Sequence, residues 1–320
     1  MIRNLKITLL FLAIFVPIGA TIFDQITDHA FDYVYPLPNN TYHQFCKNIY
    51  SQNGEDGILE QLLKELAIEH GSFCEFGAAD GIYSSNTYNL IQKGFWGLAI
   101  EYDAALYKRC VARYKPYPDV QVMHGAVLYA SEEYNLNAWL SKGGLPLDFD
   151  ILSIDIDSDD YYIWENLREF VPKIVIIETN SYRDPVVDEL PGVATSDYVR
   201  DPLILWHKAR VAVGCSFMSA VKLALRKGYV PVAYTGNLIC VRRDLVEKLT
   251  QFPAMISDDP YAYISLYTHL VLWGNLWKTN TGLIFNKALG DYYQKFGRKS
   301  IDIPWLEHRM NKIMAGGIEL

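Results

Sequence analysis

The sequence predicts an α/β fold with a mostly parallel seven-stranded sheet, helices on both faces and a closing antiparallel hairpin. Three observations predict it. Residues 72–101 read strand, small-residue turn, helix, strand, acid, which is the βαβ arrangement that holds a nucleoside. Three more apolar runs, at 120–123, after Asp150 and at 173–177, are separated by helix-compatible stretches. Finally, Tyr229–Tyr234 and Leu238–Arg242, joined at Gly236-Asn237, read as two antiparallel strands.

The first unit is the most informative. Phe73–Phe76 is a short apolar run holding one acid, Glu75, and Gly77, Ala79 and Gly81 follow at alternate positions. A helix-compatible stretch, Ser84–Lys93, leads to a second apolar run, Trp96–Ile100, which ends on Glu101. Gly77 and Gly81 let the backbone turn sharply and let a ligand approach the main chain. Glu101 lies about 20 residues beyond Gly81, where an acid at the end of the second strand accepts hydrogen bonds from ribose hydroxyls. The dinucleotide pattern Gly-x-Gly-x-x-Gly is absent, and Glu75-x-Gly77-x-Ala79-x-Gly81 stands in its place.

Composition sets the frame. The 320 residues suffice for one large α/β domain or two small ones, and 23 tyrosines and 7 tryptophans supply bulky core and pocket material. A formal charge of −8 argues against nucleic acid as the main partner, because phosphate binding needs a basic face. The five cysteines include no Cys-x-x-Cys pair, a poor spacing for structural zinc, and Cys74 and Cys240 fall in apolar runs as small core residues.

Taken in order, residues 7–23 are apolar and uncharged behind Arg3 and Lys6, and read as a signal peptide or a short membrane anchor. That predicts membrane association or passage through the secretory pathway. Residues 24–50, with Pro36 and Pro38, read as a linker into a catalytic domain over 51–245. Ser51-Gln52-Asn53-Gly54-Glu55-Asp56-Gly57 opens an amphipathic helix with Ile58, Leu62, Leu63 and Leu66 at helical spacing. Its polar start is either an ordinary helix cap or a flap over the nucleoside. A helix is expected over Ala104–Tyr114, and a third strand over Val120–Met123 runs into His124, read as a structural histidine.

Asp150–Asp160 carries an apolar strand straight into a cluster of acids before an aromatic helix, Tyr161–Phe170. A fifth strand, Lys173–Ile177, ends in Glu178-Thr179-Asn180. In an open parallel sheet ligands bind outside the carboxyl ends of the strands, so Glu75, Gly77, Glu101, Asp155, Asp157, Glu178 and Asn180 would share one rim. Helix caps and solvated turns account well for Asp159 and Asp160, and poorly for Asp155 and Asp157. The loop 181–201 reads as a substrate lid. After a helix near Phe217–Lys227 and the hairpin, residues 246–320 read as a helical extension packed on the domain.

The turn resembles motif I of the class I S-adenosylmethionine-dependent methyltransferases, with Ala79 in place of the middle glycine. A wider set, Ser51–Gly57, Glu75–Gly81, Ser85-Asn86-Thr87, Gly97–Glu101, Leu152–Asp157, Tyr161–Glu165, Val175–Asn180 and Arg226–Tyr229, resembles the FkbM-type methyltransferases over roughly residues 50–245. The resemblance implies a Rossmann-like fold, S-adenosylmethionine as cofactor, and methylation of a hydroxyl on a sugar, glycan or related small molecule. It implies that Glu75, Gly77, Ala78 and Gly81 line the methionine and ribose, that Glu101 holds the ribose hydroxyls, and that Asp155 faces the sulfonium. Asp80 and Asn86 either touch ligand or cap the following helix. Ser158-Asp159 and Thr179 depart from the family pattern on the acceptor side.

Methyl transfer to oxygen needs alignment of the two reactants and removal of the hydroxyl proton, by a base or by metal coordination. Asp155 and Asp157 are the catalytic candidates. Asp157, Glu178 and Asn180 resemble the hard oxygen set that holds Mg²⁺ in catechol-type O-methyltransferases, with Asp157 as a metal-free base the alternative. His207 is a weaker base candidate. Two rivals remain open: Asp155-Ile156-Asp157 as the Asp-x-Asp of a metal-dependent glycosyltransferase, and a membrane-anchored, non-catalytic protein that keeps the fold.

Overall fold

The computed structural model describes residues 42–156, 158–180, 188, 190, 214–250, 256–263 and 266, all within one compact unit from Asn40 to Asp302. Its strands are β1 (Ser72–Phe76), β2 (Trp96–Glu101), β3 (Val120–His124), β4 (Ile151–Ile154), β5 (Ile174–Glu178), β6 (Tyr229–Tyr234) and β7 (Asn237–Arg242). The helices are α1 (Glu55–Glu65), α2 (Tyr88–Ile91), α3 (Ala104–Tyr114), α4 (Leu136–Lys142), α5 (Asp160–Asn166) and α6 (Phe217–Arg226).

The strands form a single seven-stranded sheet in the order β3-β2-β1-β4-β5-β7-β6. Pairings from β3 through β5 are parallel, and β7 runs antiparallel to both β5 and β6. Right-handed crossovers put α2 and α3, on the way out to β3, on one face, and α4 and α5, on the way back to β5, on the other. This is the expected Rossmann-like class I methyltransferase fold. The direction of travel reverses between β1 and β4, so the crevice beyond their carboxyl ends is the topological switch point.

Burial follows position in the sheet. β1 and β4 are buried along their whole length and are mostly apolar, as expected of central parallel strands covered on both faces, with Ser72, Glu75 and Ser153 the buried polar exceptions. β3, at one edge, is mostly part-exposed. β6, at the other edge, accommodates Pro231 beside a register irregularity, where a missing N–H breaks no ladder. At the amino edge, the buried Asp150 carboxylate accepts from the Ser72 N–H at 2.7 Å, the Ser72 hydroxyl at 2.9 Å and the Lys173 ammonium at 2.6 Å. That latch ties β1, β4 and β5 together where they start.

Helix α3 spans the expected residues, capped by Asp103, whose side chain accepts from the N–H groups of Ala105 and Leu106. The expected helix Ser84–Lys93 contracts to Tyr88–Ile91. The reason is local competition: Ser85, Asn86 and Thr87 all bond to the Glu75 carboxylate and so leave the helical path. Helix α5 likewise stops at Asn166, short of Phe170. Helix α4 corresponds to no element expected from the sequence.

Within the stretch read as a linker, Tyr42–Phe45 form a 3₁₀ turn with Tyr42 and His43 buried. The Tyr42 hydroxyl donates to Glu65 at 2.6 Å, and His43 Nε2 lies 2.9 Å from the Tyr234 carbonyl oxygen. The apolar segment 7–23 and nearly all of the expected lid 181–201 lie outside the described residues, as does most of the 246–320 extension. No helix among the described residues is long and apolar enough to cross a membrane.

Candidate functional site

The turn after β1 is built by backbone conformation. Gly77 and Gly81 adopt φ of 79° and 85°, and Ala79 between them sits at 49°, a left-handed value that costs a residue with a Cβ about 1–2 kcal/mol. A Cβ on Gly77 would lie 1.8 Å from the Asp155 carbonyl oxygen, so only glycine lets the ends of β1 and β4 approach so closely. The N–H groups of Gly77 and Ala78 both donate to the Ile100 carbonyl, at 3.1 and 3.2 Å, which docks the turn against β2.

Glu101 closes the arrangement. It is buried, and its two carboxylate oxygens accept the Ala79 N–H at 2.7 Å and the Asp103 N–H at 2.6 Å. One carboxylate therefore holds both the β1 turn and the start of α3. Each oxygen keeps a second lone pair with which to accept from a ligand hydroxyl. Tyr102, immediately after it, is 73% exposed and offers a ring at the lip of the crevice.

The other residues of the expected cofactor set divide. Glu75 is buried and fully engaged: it accepts from the Asn86 N–H at 2.8 Å and from the hydroxyls of Ser85 and Thr87 at 2.8 and 2.7 Å. Burial raises its pKa, against the pull of those three donors. It organises the Ser85–Thr87 segment that follows the turn. Ala78 is buried as well. Asp80 accepts from the N–H groups of Ile82 and Tyr83 and pairs with Arg113 at 3.6 Å. The Tyr83 N–H holds its carboxyl below the ordinary range. Asp80 thus shapes the loop that follows the turn. Gly77, Gly81, Glu101 and Asp155 are the members brought together at the switch point.

At the end of β4, Asp155 is half-buried, with its N–H directed at the Phe76 carbonyl at 3.4 Å. Asp157 lies outside the described residues, and so does His207. Asp160 is fully buried and accepts the N–H groups of Ile156 and Ser158 at 2.9 and 3.0 Å, so it fixes the acidic loop in place. Glu178 ends β5 opposite Asn237, and the Asn180 N–H donates to the Cys215 carbonyl at 2.7 Å. Thr179 shares a hydrogen bond with the Tyr234 hydroxyl at 2.7 Å. Of the Mg²⁺ set, Glu178 and Asn180 share this rim, and no cluster of three or more acid, histidine or cysteine side chains fit for a metal ion occurs among the described residues. His124 stacks on Tyr107 with ring centroids 4.8 Å apart and meets the Tyr102 carbonyl at 3.0 Å, a structural role.

Sequence reasoning passed over two features. Tyr102 carried a signal, an aromatic directly after the strand-ending acid. The segment before α1 is held far more firmly than a flap requires. Asp56 Oδ2 accepts three successive N–H groups, from Ile49, Tyr50 and Ser51, at 2.7–2.8 Å. Glu55 reaches the hairpin, accepting from the Thr235 hydroxyl at 2.6 Å and the Asn237 amide at 3.3 Å. Those partners stand about 180 residues away in sequence, which no local pattern reveals.

No protein-family model matches the chain, and no curated protein matches it. Among solved structures it is similar to the pyocyanin biosynthetic protein PhzM, at 15% identity over 57% of this chain and 53% of that one, with a TM-score of 0.32. The chain thus spans about half the length of PhzM. It is also similar to a putative caffeoyl-CoA O-methyltransferase from Staphylococcus aureus, at 16% identity over 70% of this chain and 98% of that one, TM-score 0.38. A third is the N-terminal domain of EvdMO1, solved in the presence of SAH and D-fucose, at 11% identity over 69% and 96%, TM-score 0.36. Likenesses this distant carry no argument about activity. The fold assignment rests on the strand order itself.

Proposed function

We propose that this chain is an S-adenosylmethionine-dependent O-methyltransferase of the FkbM type, acting on a hydroxyl of a sugar, glycan or related small molecule. One observation carries the reading: a buried Glu101 that bridges the Ala79 and Asp103 N–H groups beside the left-handed Gly77–Gly81 turn, at the switch point of the sheet. The residues present fit the cofactor. Gly77 and Gly81 permit the left-handed turn and its close approach to the end of β4, Glu101 keeps acceptor capacity for ribose hydroxyls, and the exposed Tyr102 ring suits stacking on a base. When bound, S-adenosylmethionine supplies an electrophilic methyl group on a sulfonium cation.

In this reading Glu101 and the turn orient the nucleoside, and the acidic rim, Asp155 and Glu178 included, favours a cationic ligand over an anionic one. The acceptor hydroxyl gives up its proton to a carboxylate of the Asp155-Ile156-Asp157 segment after β4. Positioning and water exclusion account for most of the remaining rate. Residues 7–23 are read as the segment that takes the domain to a membrane or into the secretory pathway, where a glycan acceptor would be met.

The test is transfer of labelled methyl from S-adenosylmethionine to a panel of sugars and glycans, run beside UDP-sugars with Mn²⁺. Labelled glycan that depends on Asp155 supports the proposal. Sugar transfer from UDP-sugar, or no labelled product with any acceptor, counts against it.

A further inference from the structure

The loop between β3 and α4 carries an exposed apolar group that the nucleoside site does not use. Leu128, Tyr129 and Tyr134 are 50%, 40% and 44% exposed. Grouped residues of this kind mark a binding surface far more than single ones do. The Leu128 N–H donates to the Tyr134 carbonyl at 2.8 Å, which sets the two ends of the group side by side. The Ser131 N–H donates to the Leu128 carbonyl and the Tyr134 N–H to the Ser131 hydroxyl oxygen, each at 3.1 Å. The Trp139 indole N–H anchors the stem, donating to the Ala126 carbonyl at 3.0 Å. The lobe is therefore shaped before any ligand arrives, which lowers the ordering cost of binding.

Contacts at its two ends place this lobe beside the crevice. It begins at the end of β2, where the Gly125 N–H donates to the Glu101 carbonyl at 3.0 Å. It reaches α5, where the Tyr129 and Tyr162 rings meet with centroids 5.1 Å apart and planes tilted by 33°. Tyr162 stands in the first turn of α5. Asp160 ties that turn to the chain leaving β4, because its carboxylate accepts the Ile156 and Ser158 N–H groups. Only β1 separates β2 from β4 in the sheet, so the lobe spans about 10 Å past the end of β1, where the glycine turn begins. The wall so formed stands on the face that carries α4 and α5, across from the helices that follow the turn and Glu101.

The wall has a definite chemistry. Segments 125–135 and 155–162 carry Glu132, Glu133 and the acids of the stretch after β4, and no lysine or arginine. Anions are repelled there, while carboxylates accept from hydroxyl donors. Tyr162 backs the Tyr129 ring and leaves that residue 40% exposed, so an apolar surface stands next to a phenol hydroxyl. A neutral sugar ring matches this, with a face of C–H groups and a border of hydroxyl donors. We propose that Tyr129, seated on Tyr162, is the stacking platform for the methyl acceptor and takes the C–H face of a neutral pyranose. The inference rests on reading the chain as a methyltransferase with its nucleoside at the Gly77–Gly81 turn. It makes Tyr129 a specificity residue for the acceptor, with no part in holding the cofactor.

The experiment is saturation-transfer NMR on the full chain loaded with S-adenosylhomocysteine. The probes are methyl glucopyranoside and methyl galactopyranoside, the open-chain polyol sorbitol, and the anionic methyl glucuronide. Wild type should saturate the ring C–H protons of the two neutral pyranosides and leave sorbitol and the glucuronide unsaturated. Tyr129→Ala should melt near wild type, bind S-adenosylhomocysteine unchanged, and bind the pyranosides roughly 5- to 10-fold more weakly. Tyr129→Phe keeps the ring and should bind them within about 2-fold of wild type. Equal saturation of sorbitol or the glucuronide by wild type overturns the proposal without any variant. So does equal pyranoside binding by wild type and Tyr129→Ala, or no pyranoside binding by a wild type that binds S-adenosylhomocysteine; each leaves the nucleoside site standing. Weakened S-adenosylhomocysteine binding in Tyr129→Ala assigns the wall to the cofactor and overturns the proposal as well. Wild type that binds no S-adenosylhomocysteine overturns the methyltransferase reading and the proposal together.

Discussion

Replacing Gly77 by alanine tests whether the β1 turn is as constrained as its geometry implies. At φ 79° a side chain adds about 1–2 kcal/mol of backbone strain. Its Cβ would stand 1.8 Å from the Asp155 carbonyl oxygen, a main-chain atom held by the β1–β4 ladder, so a strand end must move. Overpacking of that kind costs about 1–3 kcal/mol more. A total near 3 kcal/mol corresponds to a melting temperature lowered by about 6–12 °C for a domain of this size. Gly81→Ala is the control. Its φ of 85° brings the same strain, but its Cβ meets the Cys110 sulfur and the Tyr114 ring at 3.0 Å, side chains that need shift far less than the Asp155 carbonyl. The expected loss is about 1–2 kcal/mol. Thermal unfolding and S-adenosylhomocysteine titration on both variants give the comparison. Gly77→Ala should lose binding and melt well below Gly81→Ala. If Gly77→Ala melts no lower than Gly81→Ala and binds normally, the close approach of β1 to β4 is not what shapes the site.

Asp150→Ala removes the carboxylate that accepts from Ser72 twice and from Lys173, leaving the Ser72 N–H and the lysine without it, so denaturant titration should show a loss of about 2–4 kcal/mol. Tyr102→Ala should leave melting unchanged, since the ring is 73% exposed, and weaken S-adenosylhomocysteine by the equivalent of about 1–3 kcal/mol if the base stacks there. His43 makes a pH prediction: burial lowers its pKa to about 4, so between about pH 6.5 and 4 the unfolded chain binds the extra proton and stability falls as pH falls. Glu55 and Glu75, raised by burial, contribute in the opposite direction, so the urea midpoint of wild type minus that of His43→Gln isolates the histidine. That difference should shrink from pH 7.5 to 5; a flat difference would show that His43 is not held neutral.

What the sequence made legible was whatever depends on neighbours in the chain. Helix α3 could be placed to the residue, because Asp103 caps it and its side-chain pattern is local. The glycine turn and Glu101 were legible for the same reason: a left-handed turn and a strand-ending acid leave marks on composition and spacing. Glu75 shows the limit. An acid inside an apolar strand reads as a ligand-facing group, yet Ser85, Asn86 and Thr87, ten to twelve residues on, fold back to occupy it. The same three bonds shortened α2, which helix propensity alone would have extended to Ser84. Glu55 was further out of reach, because its partners Thr235 and Asn237 arrive on a hairpin from the far end of the sheet. Asp157, the lid segment and the apolar stretch 7–23 remain expectations of the sequence.

The central claim is that Glu101 and the Gly77–Gly81 turn hold a nucleoside. Calorimetry of S-adenosylhomocysteine against wild type and Glu101→Ala addresses it most directly. The account predicts micromolar binding by wild type that is lost in the variant. Absence of binding by wild type, or equal affinity in the two proteins, would contradict it.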